Sequence, residues 1–529
     1  MSFWARSVAI FKSIASRGRQ SVRRLAEETG IPKSSVHRLS QAIERRNVSP
    51  ESWMWETEEG RQWLKRLVVA TLYLFGLKRG VGADTLSEFF WRLHLNTQVG
   101  HAPSAIRHTL QELETLVAET TDTWEHEGAK SGKGRDVIGA VDEPFLEQML
   151  LVFLDLPTGY IVLEEPAEDR SYETWNDWVK QRLKALKTGV VYLVSDRAKA
   201  LIQLAEQGLA CLSVPDLFHL LHDLSKGYSL AIARRLRQAR QDLVKAEAGL
   251  KRYRGMDKRR GAAGMAHRQW RASQAQVEYW NEAHQAYRGH LEAVSLIVHP
   301  VAIEDSTPQS SEQVQRRLQG EIDAIAAFVE RHPLPSKPDL IAKVSKQVPA
   351  LAALVDCWWE GGDHDVTQLT LSAGWRTWAK EMVLPLAYWE GQWARTRGLS
   401  KKAKLIEVLD PLRTRFEQHE MTQRLSQDVL ADWRQWARDQ AQAFQRASSA
   451  VEGRNGYLSQ MPHNHRGLPK RRYRAWKALH NFDCRATDGS TPASRFFRRD
   501  FPDLFETVLS QMGELPRPRQ RKGTRALSH

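Results

Sequence analysis

Two short apolar runs, each with an aspartate within two residues of its end, constrain this chain more than any other feature. The first is Asp136-Val137-Ile138-Gly139-Ala140-Val141-Asp142. The second is Val190-Val191-Tyr192-Leu193-Val194, with Asp196 just beyond it. Runs this short and this uniformly apolar predict strands buried on both faces. Between them lie Gln148 to Leu154, a Leu156-Pro157-Thr158-Gly159 turn, and Tyr160 to Leu163. With the first run these predict a three-stranded meander. Tyr172 to Leu186 then carries Trp175, Trp178, Val179, Leu183 and Leu186 at helical spacing. A helix from Ala198 to Gln207 and a fifth strand from Leu209 to Val214 complete the series. Apolar strands alternating with helices need both faces of their sheet covered, which defines an α/β core.

Asp142 and Asp196 therefore fall at strand ends, where side chains of different strands converge on one crevice. If the first and fourth strands are neighbours, the two carboxylates lie side by side. Carboxylates that close repel each other unless a proton or a cation sits between them. Oxygen-only donors suit a hard divalent ion, Mg²⁺ first and Mn²⁺ second. Two such ions can activate a water or a 3′-hydroxyl and stabilise the leaving oxygen of a phosphodiester. Taken singly, either aspartate could simply cap a turn or a helix. It is the pair, in this strand and helix order, that argues for chemistry.

The flanks point to nucleic acid. The net charge is +14, which favours a polyanionic partner. The segment from Val22 to Leu39 has a helix–turn–helix pattern: Ala26 is small where two helices meet, and Gly30 sits at the turn. Ile31 and Val36 pack the second helix back, which leaves Lys33, Ser34, Ser35, His37 and Arg38 facing outward for DNA. A further helical block has two readings. Asp84 to His94, the turn from Val99 to Pro103 and Ser104 to Val117 form either a second helix–turn–helix or a supporting spacer. Residues 125–135 are glycine-rich and read as a linker. Residues 229–445 read as almost wholly helical, broken at His332-Pro333-Leu334-Pro335.

Beyond them, Arg454, His463, His465, Arg466, Lys470, Arg471, Arg472, Arg474 and Lys477 form a basic stretch. Tyr457, Tyr473 and Trp476 are interleaved with it, so phosphate contacts and base stacking are the expectation. Residues 513–529 read as a basic, disordered tail. Apolar stretches such as Leu67 to Phe75 are too short to span a bilayer, and Arg6 breaks any signal-peptide layout, so no membrane is expected. Cys211, Cys357 and Cys484 are far apart, which excludes a zinc or disulfide framework and matches a cytoplasmic, nucleoid-associated protein.

The order strand-Asp, hairpin, helix, strand-Asp, helix, strand resembles the RNase H-like core of DDE transposases and retroviral-type integrases. The resemblance implies a third carboxylate, a glutamate on a later helix. Glu452, in Ser448-Ser449-Ala450-Val451-Glu452-Gly453-Arg454-Asn455-Gly456-Tyr457-Leu458, resembles the glutamate region of bacterial insertion-sequence transposases. Ser448 stands four before it, where some of those families carry Arg. The long stretch between Asp196 and Glu452 implies a helical insertion, as in Mutator-like and hAT-like transposases. Those also carry a Cys/Asp-x-x-His motif, which Asp216-Leu217-Phe218-His219 matches. By that resemblance His219 lies near the scissile phosphate.

The fold implied is an α/β RNase H-like mixed-sheet core with a large all-α insertion, preceded by an all-α helix–turn–helix region. Its divisions are a helix–turn–helix module at 1–50, a second helical region at 51–130, the first part of the core at 131–228, the insertion at 229–445, C-terminal core helices with the glutamate at 446–512, and the tail at 513–529. The activity implied is cleavage at transposon ends and transfer of the 3′-hydroxyls into target DNA. Asp142, Asp196 and Glu452 would hold two Mg²⁺ ions, with Mn²⁺ able to substitute. The partners are double-stranded DNA, as terminal inverted repeats and target, and further copies of the chain in a homodimer or larger assembly. Two alternatives stay open: a nuclease of the same fold without strand transfer, and a non-catalytic or inactivated helix–turn–helix regulator.

Overall fold

The computed structural model describes residues 3–18, 20–132, 134–146, 148–256, 261–368, 372–461 and 469–518. His463, His465 and Arg466 lie outside the described residues.

The chain opens with α1 (Phe3–Arg17), α2 (Val22–Thr29) and α3 (Lys33–Arg46). Ile10, Leu25, Ile31, Val36, Leu39 and Ile43 give these helices a core of their own. The Ser21 side chain accepts a hydrogen bond from the Arg24 amide, which caps α2 at its start. Gly30 ends α2 in the left-handed region, with φ 67°. The helix–turn–helix expectation holds here in its buried Ile31 and Val36 and in Gly30 at the turn. A buried carboxylate fastens this module to the body. Glu56 accepts from Arg46 Nε at 2.9 Å and Nη2 at 2.8 Å, and from Asn47 Nδ2 at 2.9 Å.

Next come α4 (Glu58–Thr71), α5 (Ala83–Arg92) and α6 (Pro103–Lys130). The last of these corrects the linker reading, because residues 125–130 are helix. Trp124, Gly128 and Ala129 are buried there. Gly128 lies so close to the Phe497 ring that a Cβ would stand 2.7 Å from it. Tertiary packing overrides the weak helix propensity of glycine.

The sheet comprises β1 (Val137–Asp142), β2 (Phe145–Leu146), β3 (Gln148–Asp155), β4 (Ile161–Ala167), β5 (Val190–Ser195) and β6 (Leu212–Pro215). Its long strands run in the order β4-β3-β1-β5-β6. β1 pairs antiparallel with β3 and parallel with β5; β3 pairs antiparallel with β4, and β5 parallel with β6. Only β3 therefore runs against the rest, a mixed sheet. The two-residue β2, which pairs with the start of β3, adds a strand that apolar patterning does not mark.

Helices α7 (Tyr172–Leu186) and α8 (Lys199–Gln203) make the crossovers to β5 and β6. The helical region begins with α9 (Leu217–Leu224), α10 (Leu230–Lys251), α11 (Gly261–Ile297) and α12 (Ser311–Arg331). It continues through α13 (Pro338–Ser345), α14 (Val348–Gln368), α15 (Ala373–Trp378) and α16 (Leu384–Arg395). It closes with α17 (Leu399–Gln418), α18 (Glu420–Gln423) and α19 (Gln427–Ala443). The C-terminal helices are α20 (Ser449–Ser459), α21 (Lys470–Asp483), α22 (Pro492–Phe497) and α23 (Leu504–Gln511).

The helical region is packed onto the sheet. α14 lies against β6. The Tyr192 hydroxyl of β5 donates to the Ala443 carbonyl at 2.6 Å, at the end of α19. At the opposite edge, Asn481 of α21 accepts from the Ile161 amide at 2.8 Å and donates to the Ile161 carbonyl at 3.0 Å. That amide occupies a hydrogen-bonding position on the β4 edge which another chain could otherwise take. Residues 513–518 also lie on the body rather than in a disordered tail: the Gly100 amide donates to the Pro516 carbonyl, and Leu515 packs on the core. Residues 519–529 of the tail lie outside the described residues. Among the described residues no helix is long and apolar enough to cross a membrane.

Candidate active site and DNA-binding surfaces

Asp142 is the last residue of β1, and Asp196 follows the last residue of β5. The parallel register pairs Ala140 with Val194. Carried two residues further, it sets Asp142 level with Asp196 on strands about 4.8 Å apart. Asp142 is half-buried and Asp196 exposed. Asp196 also holds its own turn, since its Oδ1 accepts from the Ala198 amide at 2.9 Å. Arg197, the next residue, is left-handed with φ 64°. A non-glycine residue held there costs of order 1–3 kcal/mol, and such strain gathers at functional turns.

The antiparallel registers place Asp142, Val152 and Glu164 in one row across β1, β3 and β4. Residues opposite one another share a face of the sheet. Helix α20 lies across that face and binds both ends of the row. Asn455 Nδ2 donates to Asp142 Oδ2 at 2.6 Å. Arg454 grips Glu164 through Nε and Nη2, both at 2.7 Å. Glu452, three residues before Asn455, stands one turn away. Its Oε1 is 3.6 Å from His219 Nε2.

His219 belongs to α9, and the start of that helix is fixed by Asp216. Buried Asp216 accepts from the Phe218 amide at 2.7 Å, and from both the amide and the hydroxyl of Ser448. The Leu217 amide donates to the Arg446 carbonyl at 2.9 Å. The Asp216-x-x-His219 motif is thus stitched to the segment that leads into the Glu452 helix. Asp216 works as the stitch, and His219 presents its ring to the glutamate.

Asp142, Asp196 and Glu452 come from three elements gathered at one end of the sheet. Among the described residues, no group of three or more His, Cys, Asp or Glu side chains is arranged as a metal cage. The donors are nevertheless of the kind a hard divalent cation takes. Asp142 is acidic and level with a second carboxylate. Beside it, Asn455 Oδ1 is buried with no hydrogen-bond partner. An amide oxygen left in that state next to a carboxylate is costly unless a cation or a water meets it.

The basic stretch after Glu452 needs correction. Arg454 does not reach DNA, because it is 5% exposed and its guanidinium is committed to Glu164. Arg471 and Arg472 both bind the buried Glu114, and Arg474 pairs with Asp122 at 2.9 Å. Lys477 is half-buried, and burial together with Arg182 lowers its pKa. Tyr473 and Trp476 are core residues, the Trp476 indole donating to the Leu77 carbonyl. The half-buried Tyr457 donates to the Lys78 carbonyl. Among the described residues of this set, only Lys470 is exposed without a described ion-pair partner. Arg454, Arg471 and Arg472 carry charge for the buried Glu164 and Glu114, and Arg474 pairs with the exposed Asp122; all these partners lie hundreds of residues away in sequence, where local patterning gives no sign of them.

At the N-terminus Lys33, Ser34, His37 and Arg38 are exposed and Ser35 is half-buried, as expected of the outer face of a recognition helix. Asn455 and Glu164 are site residues that sequence reasoning misses. Asn455 had a signal, since a residue three along from Glu452 shares its helix face. Glu164 had none, being one acidic residue in a strand end.

Comparison with known proteins agrees at the N-terminus. Residues 5–47 match the IclR helix-turn-helix domain. The match spans α1 to α3, so the module is a helix–turn–helix domain and DNA binding is its supported role. Residues 379–524 match a family of unknown function (DUF6399). That stretch begins inside the helical region and runs through Glu452 and α21. No curated protein matches the chain.

Proposed function

We propose that this chain is a DDE-type transposase of the bacterial insertion-sequence kind, with an RNase H-like core, and that Asp142, Asp196 and Glu452 form its active site. The observation that carries the reading is the convergence of three elements. Two aspartates lie level at the ends of adjacent parallel strands, and the glutamate helix is tied to the first of them through Asn455. The strand order β4-β3-β1-β5-β6, with β3 alone reversed, supports the RNase H-like assignment. The helices inserted between β6 and α20 support the likeness to insertion-bearing transposases.

The three carboxylates would hold Mg²⁺ or Mn²⁺, which when bound supplies activation of the attacking oxygen and stabilisation of the leaving one. The chain's own residues do the rest. Asn455 holds the Asp142 carboxylate in orientation. His219 donates toward Glu452 or toward a phosphate oxygen placed beside it. Lys346 lines the cleft that contains Asp196, where it offers charge to a DNA backbone, while Lys343 of the same cleft is paired with Asp223 at 2.7 Å. The helix–turn–helix domain recruits the element's end, and a second copy brings the other end.

The test is product analysis on duplexes carrying the gene's own flanks, with Mg²⁺ or Mn²⁺. The expected result is cleavage at defined ends, with the freed 3′-hydroxyls joined to a target duplex. Cleavage without joining would move the assignment to a nuclease of the same fold. A second reading draws on the helix–turn–helix match alone: a DNA-binding regulator without catalysis. It requires binding that Asp142→Asn leaves unchanged and no cutting by wild type.

A further inference from the structure

The charge of this molecule is concentrated in one place. Residues 234–271 contain 13 Lys and Arg against 3 Asp and Glu, a net +10 (13 minus 3) of the chain's +14. Residues 257–260 lie outside the described residues; the described ones belong to a helical hairpin, α10 and α11. Its base is secured. The Tyr287 hydroxyl donates to the Leu224 carbonyl at 2.7 Å, and Tyr287 packs on Phe328 of α12. Tyr279 and Trp280 meet His332, where α12 has just ended. Beyond that point the main neighbours of α10 and α11 are each other.

The seam between them is made of small residues: Ala239, Ala246, Ala263 and Ser273 are buried there. Such residues let two helices approach closely while adding little apolar area. From Ala239 to Lys251, α10 extends for about 20 Å at 1.5 Å per residue. The arm therefore carries charge outward on a thin support. Lys251, Arg252, Arg254, Arg268 and Arg271 are exposed, and none forms an ion pair with a described residue. Arg234, Arg235 and Arg237 at its base are in the same state. This is the reverse of the basic stretch after Glu452, whose described arginines are all ion-paired.

We infer that the α10–α11 hairpin is a second DNA-binding element, an arm that grips the phosphate backbone of duplex DNA without reading its sequence. The arm grows from the helix that holds His219, so it is placed to hold DNA near the carboxylates. Duplex DNA presents one phosphate per about 1.7 Å of axis, and 20 Å of arm faces enough of them to engage every free cation it carries. Phosphate contacts of this kind position DNA and are sequence-independent. The inference extends the DNA-processing reading, yet it holds whether or not the carboxylates cut.

The experiment uses the full chain and a labelled duplex of arbitrary sequence, with binding followed by fluorescence anisotropy over a series of salt concentrations. The arm variant combines Lys251→Gln, Arg252→Gln, Arg254→Gln, Arg268→Gln and Arg271→Gln. Each phosphate that the protein no longer neutralises lowers the slope of log K against log salt by about 0.9. The expected result is a slope smaller by about 2 to 4 and an affinity at least tenfold weaker at low salt. A companion variant with lysine at the four arginine positions should bind within about twofold of wild type, because it keeps the charge. Binding is read without divalent metal and needs no cutting, which separates this claim from the catalytic one. The inference is overturned if the glutamine variant keeps wild-type affinity and salt slope. It is equally overturned if the lysine variant binds as weakly as the glutamine one, or if the loss appears on anionic vesicles and not on DNA.

Discussion

A single amide ties the Glu452 helix to the strand that ends in Asp142. Asn455 donates to the Asp142 carboxylate while its own oxygen remains buried and unmatched. Groups that orient a ligating carboxylate typically contribute 10- to 100-fold to activity. Asn455→Ala should therefore lower metal-dependent cleavage by about that factor and raise the Mn²⁺ concentration required, with little change in melting temperature. Arg454, the residue before it, predicts the opposite pattern. Its pairing with Glu164 is almost wholly buried, so Arg454→Ala strands a carboxylate in the interior. The expected cost is about 3–5 kcal/mol, measured by urea denaturation, with DNA binding unaffected in whatever protein remains folded. These neighbours show what sequence could disclose at this scale. Asp142 and Asp196 were legible because an apolar strand marks its own end. Arg454 was not, because its partner lies in another strand, and nothing local distinguishes a buried arginine from a solvated one.

Elements were legible where periodicity was strong. Apolar spacing located α7 and the main strands and Gly30 marked the turn after α2, while strand ends shifted: the fifth strand, expected from Leu209, begins at Leu212, and the third runs past Leu163 to Ala167. Legibility failed where tertiary contact decides. Residues 125–130 look like a linker and are helix, because Gly128 is needed small against Phe497. β2 is two residues long and too short to leave a pattern. The helix–turn–helix domain has its own core, which leads to a further prediction. At Gly30 a Cβ would meet no atom within 4 Å, so only its left-handed backbone opposes substitution. Gly30→Ala should cost about 1–2 kcal/mol. Hydrogen exchange should speed up in α2 and α3 while the sheet amides are unchanged; equal acceleration in both would show that the two cores unfold as one.

The whole molecule combines a strongly basic sequence with two histidines that resist protonation. Burial and the nearby Arg454 push His480 down to about 3, and its Nε2 lies 2.9 Å from the Gly159 carbonyl. Burial, with Arg446 and Arg395, likewise holds His299 well below the usual histidine range. In the unfolded chain both would take up a proton near pH 6.5. Between about 6.5 and 3 the unfolded state thus binds more protons, so stability is full above about 6.5 and falls as the pH drops. His480 alone should remove about 2 kcal/mol between about pH 6.5 and pH 5, at about 1.4 kcal/mol per unit. Urea midpoints at those two values check this, and His480→Asn should flatten the dependence. At this scale the sequence disclosed the total charge and the alternation of strands and helices. It did not disclose which cations are free, because that depends on which carboxylates the fold brings to them.

The central claim is that Asp142, Asp196 and Glu452 act as one metal-dependent unit on DNA. The most direct measurement is Mn²⁺-supported cleavage of flank-bearing duplex by wild type and by Asp142→Asn, Asp196→Asn and Glu452→Gln, each shown to bind DNA and to melt as wild type does. Groups that act as a unit fail together, so each single variant should fall to background and the triple variant no further. Substantial cutting by any one of the three would contradict the assignment of that carboxylate, and with it the account of the site.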